Sequence, residues 1–373
     1  MVSITPFLIT TPTHINDTRI MQTDFSTKII QWYQLNHRDL PWRNTKDPYA
    51  IWLSEIILQQ TRVSQGLDYY YRFINKYPTV EQLAAAELDE VLCLWQGLGY
   101  YSRARNLHAA AKQIAELGNF PTTYKTIRSL KGIGDYTAAA ISSFAFNLPH
   151  AAIDGNAYRV LSRHFAITLP IDTTEGKKYF AQLAAEILDK SNASQFNQAM
   201  MDLGATICTP QNPKCEDCPL SNSCLAHSEH QPSAYPVKQK KIAVKNRYFT
   251  YIVVHSNQHL LLQQRTTGDI WTGLYQPPMI ESPKPLSIDE LLSHPTLKSL
   301  LSSQSNLQLI SNQLVHKLTH QTLHAQVYSL FAEELTNVPV DFKKINIADI
   351  QQYALPQLVV KILELVLSKE GVG

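Results

Sequence analysis

At 373 residues the chain exceeds what one hydrophobic core usually organises, which points to two domains, each with ample material for a core of its own. It is 44% hydrophobic and 17% charged with a mean hydropathy of -0.19, and no apolar run approaches the roughly 18 residues of a membrane span, so a soluble protein with no membrane partner is expected. The net charge of +2 is too small to argue for nucleic acid by itself, because whole-chain charge says little about where a basic patch lies.

Residues 1–24 lack a basic leader, a cleavage-like end to an apolar run and the arginine-rich pattern of a transit peptide; they read as a disordered extension, with Met21 as an alternative start. From about Phe25 to Thr206 the periodicity is helical, through DFSTKIIQWYQLN, PYAIWLSEIILQQTRV, TVEQLAAAELDEVLCLW and KYFAQLAAEILDK, with few strands. Cys93, inside EVLCLW, reads as a buried small apolar side chain. Arg103 and Arg105 of YYSRARNL read either as phosphate contacts or as solvated residues. Further on, TYKTIRSL reads as a helix, LKGIGD as a tight turn and YTAAAISSFAF as a second helix. In such a helix-hairpin-helix, Gly132 and Gly134 permit close backbone approach. Amides at the second helix's N-terminus would then face a phosphate oxygen with the helix dipole behind them. These contacts hold DNA without reading sequence. A glycine-containing turn between two ordinary helices is the bland alternative, just as Asp154 in AAIDGNAYRVLSR reads, in isolation, as a helix cap.

Four of the five cysteines crowd into CTPQNPKCEDCPLSNSC, as Cys208, Cys215, Cys218 and Cys224. The lack of a signal peptide implies a reducing compartment where disulfides seldom persist, so a metal site is favoured. Spacing alone leaves structural zinc and a cubane iron-sulfur cluster about even, since only Cys215 and Cys218 have the knuckle spacing of zinc ribbons. Beyond the cysteines, residues 226–245 are polar and basic with two prolines and read as a linker. Residues 246–370 then change pattern. YFTYIVVHSNQHLLLQQRT suggests two strands, ELLSHPTLKSLLSS a helix, KLTHQTLHAQVYSLFA a hairpin and LPQLVVKILELVLS a final helix, which together make a separate α/β domain.

Taken together, the hairpin, Asp154 and the cysteine loop occur in the order and spacing of the HhH-GPD superfamily of base-excision DNA glycosylases. LPWR at 40–43, PYAIWLSEIILQQTRV at 48–63, WQGLGYYSRARNL at 95–107, FNQAMMDLGATIC at 196–208 and C-x6-C-x2-C-x5-C resemble the MutY family of adenine DNA glycosylases. The resemblance covers nearly the whole chain after residue 25. It implies an all-α glycosylase domain over 25–225, a 4Fe-4S cluster on the four cysteines, and a Nudix-like C-terminal domain that recognises 8-oxoguanine opposite the adenine. It also implies a monofunctional enzyme that binds double-stranded DNA with A:8-oxoG or A:G mispairs; a monomer is expected, and the lack of targeting segments points to a bacterial cytoplasm, in association with the nucleoid.

The chemistry calls for an acid and a carboxylate, because the bond from deoxyribose to adenine breaks when the leaving base is protonated and the oxocarbenium-like sugar is stabilised. Glu55, ringed in sequence by Ile51, Trp52, Ile56 and Leu58, sits where an apolar setting raises its pKa, although a lone helical glutamate is more often solvated. By the resemblance Glu55 protonates adenine N7 and then activates water, Asp154 stabilises the sugar cation or bonds to it covalently, and Asn156 and Tyr136 orient the site. The related endonuclease III carries at the position of Tyr136 a lysine that attacks the sugar; a phenol forms no Schiff base, so base excision without strand cleavage is expected. Gln60 and Tyr100 match residues that wedge into the duplex, and Trp42, Arg43 and Gln198 match those lining the adenine pocket. The C-terminal domain lacks the acidic G-x5-E-x7-R-E-x2-E-E-x-G run that binds magnesium. Leu318, Thr319 and His320 stand where the family's lesion-reading loop has Phe-Ser-His, so Thr319 and His320 are the expected lesion contacts. The alternatives are an endonuclease III-like lyase and a non-catalytic iron-sulfur DNA-binding sensor.

Overall fold

The computed structural model describes residues 15–239, 243–266, 268–301, 306–336 and 338–369. The first 14 residues of the expected extension therefore lie outside the described residues, and residues 15–24 are helical, since α1 runs Ile15–Asn36. The chain forms two compact, discontinuous units: residues 1–55 with 120–240, and residues 56–119 with 241–373.

The first unit is helical. After α1, the 3-10 turn Pro41–Arg43 leads to α2 (Pro48–Leu58), whose last residues already belong to the second unit. The second unit then takes α3 (Val63–Lys76), α4 (Val80–Ala85), α5 (Leu88–Leu94) and α6 (Ser102–Leu117). The chain re-enters the first unit with α7 (Tyr124–Arg128), α8 (Asp135–Phe146), α9 (Gly155–His164), α10 (Thr174–Ile187), α11 (Ala193–Thr206) and the short α12 (Leu225–Ser228). Phe25, Ile29 and Tyr33 of α1 pack with Val160 and Leu161 of α9, Phe180 of α10, and Phe196, Met200 and Leu203 of α11. A smaller cluster joins Ile51 of α2 to Ala139, Ala140 and Phe144 of α8. This cluster packs the helix that carries Glu55 against the one that carries Tyr136.

In the second unit, β1 (Lys245–His255), β2 (His259–Gln264), β3 (Tyr275–Gln276), β4 (Met279–Ser282), β5 (Asn306–Lys317), β6 (Gln321–Phe331) and β7 (Lys343–Asn346) form one mixed sheet. The path is β3-β2-β1-β6-β5, with β4 paired to β1 and β7 to β2; β1 and β6 run parallel and the other pairs antiparallel. Alternation along β1 sends Phe249, Tyr251 and Val253 to one face, under α15 (Gln357–Lys369). Ile252 and Val254 point to the other face, toward Leu291 of α13 (Ile288–Ser293) and Leu297 of α14 (Pro295–Leu300). Both faces are covered, and β1 accordingly reads as a nearly continuous apolar run. The single helix expected in ELLSHPTLKSLLSS is split at His294–Pro295, because the residue before proline is driven out of the helical region; His294 has ψ 131°. Among the described residues no helix is long and apolar enough to cross a membrane.

Candidate active site and cysteine loop

Glu55 is the eighth residue of α2 and 7% exposed. Its Oε2 accepts a hydrogen bond of 2.8 Å from the Tyr136 hydroxyl, 81 residues along the chain at the start of α8. Burial pushes the Glu55 carboxyl up to about 7; the Tyr136 hydrogen bond opposes this, the charge of Asp154 adds to it, and Arg43 opposes it. Tyr136 is itself pushed well above 10, first by burial and then by the charges of Glu55 and Asp154, so it stays a phenol and donates. Its oxygen also lies 3.9 Å from Met201 Sδ, a wall residue that nothing in the sequence reading singled out.

Asp154 caps α9, as an isolated Asp-Gly-Asn would suggest, and the cap is compatible with chemistry. Its Oδ1 accepts from the Ala157 amide at 2.8 Å and its Oδ2 from Asn156 Nδ2 at 2.7 Å. Burial raises the Asp154 pKa, while these donors lower it. Asn156 is held in turn by Arg159, whose Nη2 donates to Asn156 Oδ1 at 2.8 Å and to the Gly204 carbonyl at 2.7 Å, and whose Nε donates to the Cys208 carbonyl at 2.7 Å. Gly204 is a packing requirement, because a Cβ there would sit 2.5 Å from Asn156 Cβ and 3.0 Å from its Cα. Sequence reasoning missed both residues, although the i, i+3 spacing of Asn156 and Arg159 and a glycine inside the helical FNQAMMDLGAT were available signals.

The expected base-pocket residues are tied into the scaffold. Arg43 makes a bidentate pair with Asp202, at 2.5 and 2.6 Å, and Arg38 Nε adds a bond at 2.7 Å. Asp202 is fully buried, and these arginines hold its pKa down against burial. Tyr33 lies under the Arg43 guanidinium and donates at 2.8 Å to Gln198 Oε1, while Gln198 Nε2 donates to Ser194 Oγ. Trp42 is buried. Asp202, Arg38 and Tyr33 are thus part of the wall around Arg43 and Gln198, where sequence reasoning named only Trp42, Arg43 and Gln198.

At the hairpin, Gly132 has φ 76°, a left-handed turn that suits glycine. Gly134 is extended, and a Cβ on it would meet nothing within 4 Å. It is the N-cap of α8 and brings no side chain to that end of the helix. Arg128 braces the turn through Asp135 and the Ile133 carbonyl, both at 2.6 Å.

Cys208, Cys215, Cys218 and Cys224 line one cavity with Arg163, Ile207, Pro213 and Pro232. Four thiol donors around one space are the ligand set that a cubane iron-sulfur cluster takes. Arg163 Nη1 donates to Cys208 Sγ at 3.3 Å and to the Thr209 carbonyl at 2.7 Å. Burial pushes the Cys218 thiol up to about 12, so the apolar lining alone disfavours a thiolate.

In the second unit, Gln60 and Tyr100 are exposed on turns, both with positive φ, 56° and 47°. Thr319 and His320 are exposed at the β5–β6 turn, and the Thr319 hydroxyl is hydrogen-bonded to the Tyr100 hydroxyl. Arg103, read as a phosphate contact or a solvated residue, is neither: it is 8% exposed and bonded to backbone carbonyls. Arg105 donates to the Thr272 carbonyl at 2.7 Å. Cys93 is half-buried, with its thiol 3.2 Å from the Gln352 carbonyl.

Residues 53–188 match the model of the HhH-GPD superfamily of base excision DNA repair proteins, residues 249–365 the NUDIX domain, and residues 208–224 the iron-sulfur binding domain of endonuclease III. The solved structure of a thermostable thymine-DNA glycosylase aligns with a TM-score of 0.53 at 30% identity, covering 57% of this chain and 100% of that one. An adenine DNA glycosylase of Mus musculus is 43% identical over 220 residues, 56% of this chain and 43% of its own. One of Buchnera aphidicola subsp. Schizaphis graminum is 33% identical over 350 residues, 91% of this chain and 98% of its own. With a relative matched along nearly its entire length, this chain belongs to the adenine DNA glycosylase family.

Proposed function

We propose that the chain is a monofunctional adenine DNA glycosylase that hydrolyses the N-glycosidic bond of adenine mispaired with 8-oxoguanine or guanine, acting as a monomer in the cytoplasm at the nucleoid. The observation that carries this reading is Glu55: a buried carboxyl titrating at about 7, with one oxygen fixed by Tyr136. A group with that pKa holds a proton at neutral pH and can give it up, which is what a general acid for a departing base requires. The hydrogen bond on Oε2 leaves Oε1 to carry the proton to the base. Asp154 faces the sugar cation, its two oxygens steadied by the Ala157 amide and Asn156. Once the base has left, Glu55 is a carboxylate and takes a proton from the attacking water. Tyr136 lacks the amine that would form a Schiff base, so the backbone stays intact.

Cys208, Cys215, Cys218 and Cys224 hold a 4Fe-4S cluster, which when bound cross-links four points of the loop that follows α11. Gln60 and Tyr100 wedge into the duplex, Gly132 and Gly134 admit a phosphate, and Trp42, Arg43 and Gln198 line the base pocket. The helical residues 25–225 carry the chemistry, and residues 246–370 carry lesion recognition at Thr319 and His320.

Base release from defined duplexes tests the reading, comparing A:8-oxoG, A:G, A:C and thymine glycol:A. Release of adenine from the first two, with no borohydride-trapped adduct, is the expected result; release of thymine glycol with a trapped adduct would establish the lyase reading instead. The purified protein should be brown with about four irons per chain. A colourless, fully active protein holding one zinc would overturn the cluster assignment.

A further inference from the structure

Two exposed side chains of the second unit, Gln60 and Tyr100, sit on separate turns in left-handed backbone conformations that ordinary residues adopt only at a cost. One turn follows α2 and leads into α3; the other follows Gly97 and Gly99, with φ 100° and 71°, and leads into α6. What the two turns share is Arg103. Its Nη1 donates to the carbonyls of Ile56, Ile57 and Gln59, at 3.0, 2.9 and 2.6 Å, on the strand of chain that presents Gln60. Its Nη2 donates to the carbonyls of Leu98 and Gly99, both at 3.3 Å, on the strand that presents Tyr100. Both nitrogens lie 3.4 Å from Thr61 Oγ1. The guanidinium also packs over the rings of Trp95 and Tyr100, at 5.0 and 5.7 Å.

A buried cation among carbonyls is costly, and among the described residues Arg103 forms no ion pair. Burial lowers its pKa to about 10, which still leaves it charged at neutral pH. The last carbonyls of α2 offer the compensation, since a helix C-terminus presents unbonded acceptors and the negative end of its dipole. Only a planar fork can reach both turns; an ammonium is a point donor on one stem.

We propose that Arg103 is a positioning residue that locks the Gln60 and Tyr100 turns into one preformed unit, so that both side chains enter the duplex together when adenine is extruded. The inference rests on the wedge reading of Gln60 and Tyr100 given above. Arg103 touches neither base nor sugar in this role; its loss impairs extrusion and spares the bond-breaking step.

The test measures single-turnover adenine release by the full-length protein from two duplexes. One carries A:8-oxoG in a fully paired context; the other carries the same pair flanked on both sides by mismatches, which makes extrusion easier. Arg103→Lys keeps the charge and reaches one turn, and Arg103→Gln removes the charge. On the paired duplex the expected losses are about tenfold and about 100-fold; on the loosened duplex both should be under about fivefold. In a Gln60→Ala, Tyr100→Ala background, Arg103→Lys should cost nothing further, because it acts only through those residues. Equal losses on both duplexes, or a further loss in that background, would overturn the proposal, and Arg103→Lys decides the matter if Arg103→Gln does not fold. If Gln60→Ala, Tyr100→Ala alone leaves release from the paired duplex unchanged, the wedge reading fails rather than the clamp.

Discussion

Glu55 and Thr319 are both candidate contacts to a damaged base pair, yet they are opposite kinds of site. Glu55 is buried, its oxygen is fixed by Tyr136, and its pKa is set by the fold before any DNA arrives. Thr319 stands exposed on a two-strand turn, and Tyr100 is its hydrogen-bond partner. Each function draws its energy from a different source. Breaking a glycosidic bond needs an acid tuned in advance by low dielectric, whereas reading a lesion needs a polar group whose hydrogen bond is settled only by the partner it meets. Changes at the buried site should therefore be large and insensitive to the base opposite adenine; those at the turn should be small and specific to it.

The largest expected effect is on chemistry. Glu55→Gln and Asp154→Asn should each lower single-turnover adenine release by at least about 10³-fold while binding to A:8-oxoG duplex, measured by gel shift or anisotropy, changes little. Binding lost in parallel with activity would give both residues a structural role. The same burial makes a second, opposite prediction. Folding raises the Glu55 pKa from 4.5 to about 7, so its protonated form is the one the fold prefers. Stability from this group is fully present below about 4.5 and is lost as pH climbs through about 7, a swing of about 3 kcal/mol. At pH 8 the inactive Glu55→Gln protein should thus melt higher than the wild type, and at pH 4 the two should converge. The release rate should fall as pH rises past about 7. Tyr136→Phe, which removes the hydrogen bond that lowers this pKa, should move that limb upward.

Much of this site was legible. The Asp-Gly-Asn turn announced a cap at Asp154, whereas the apolar neighbours of Glu55 only allowed its burial, a lone helical glutamate being more often solvated. The link from Tyr136 to Glu55 spans 81 residues and has no local signature. Arg43 and Asp202, 159 residues apart, are illegible for the same reason, and so Arg43 read as a pocket residue without its anchor. In the C-terminal region the β5–β6 hairpin could be read from its turn, but the long parallel pairing of β1 with β6 could not, because pattern reports which face a residue takes and not which strand lies beside it. Arginine was the least readable residue type: Arg103 is buried among carbonyls, and nothing in YYSRARNL distinguishes that from a solvated side chain.

An intermediate effect is expected one step behind the carboxylates. Gly204→Ala places a methyl 2.5 Å from Asn156 Cβ and 3.0 Å from backbone, which cannot swing away as a side-chain tip can. The start of α9 must shift, carrying Asp154 with it. A stability loss of about 1–3 kcal/mol and a fall in release of about 10–100-fold are expected, equal for A:8-oxoG and A:G. Unequal losses would mean that α11 takes part in reading the opposite base, and the contrast between the two sites would blur.

The smallest effect belongs to the turn. Thr319→Ala, His320→Ala removes two exposed polar groups from a hairpin whose backbone is held by the Leu318 amide on the Gln321 carbonyl and the Lys245 amide on the His320 carbonyl, so the fold should be unaffected. If those groups contact 8-oxoguanine, release at A:8-oxoG should weaken by one or two hydrogen bonds, about 1–3 kcal/mol in all, with A:G nearly unchanged. The Thr319–Tyr100 hydrogen bond sets the scale, since DNA must displace or share it, and a gain that trades one hydrogen bond for another lies at the low end of that range. Thr319→Ser, which keeps the hydroxyl and frees its rotation, should retain most of the preference for 8-oxoguanine. A double variant that weakens both substrates alike would instead make this turn a non-specific clamp on the duplex, with lesion reading located elsewhere in the sheet.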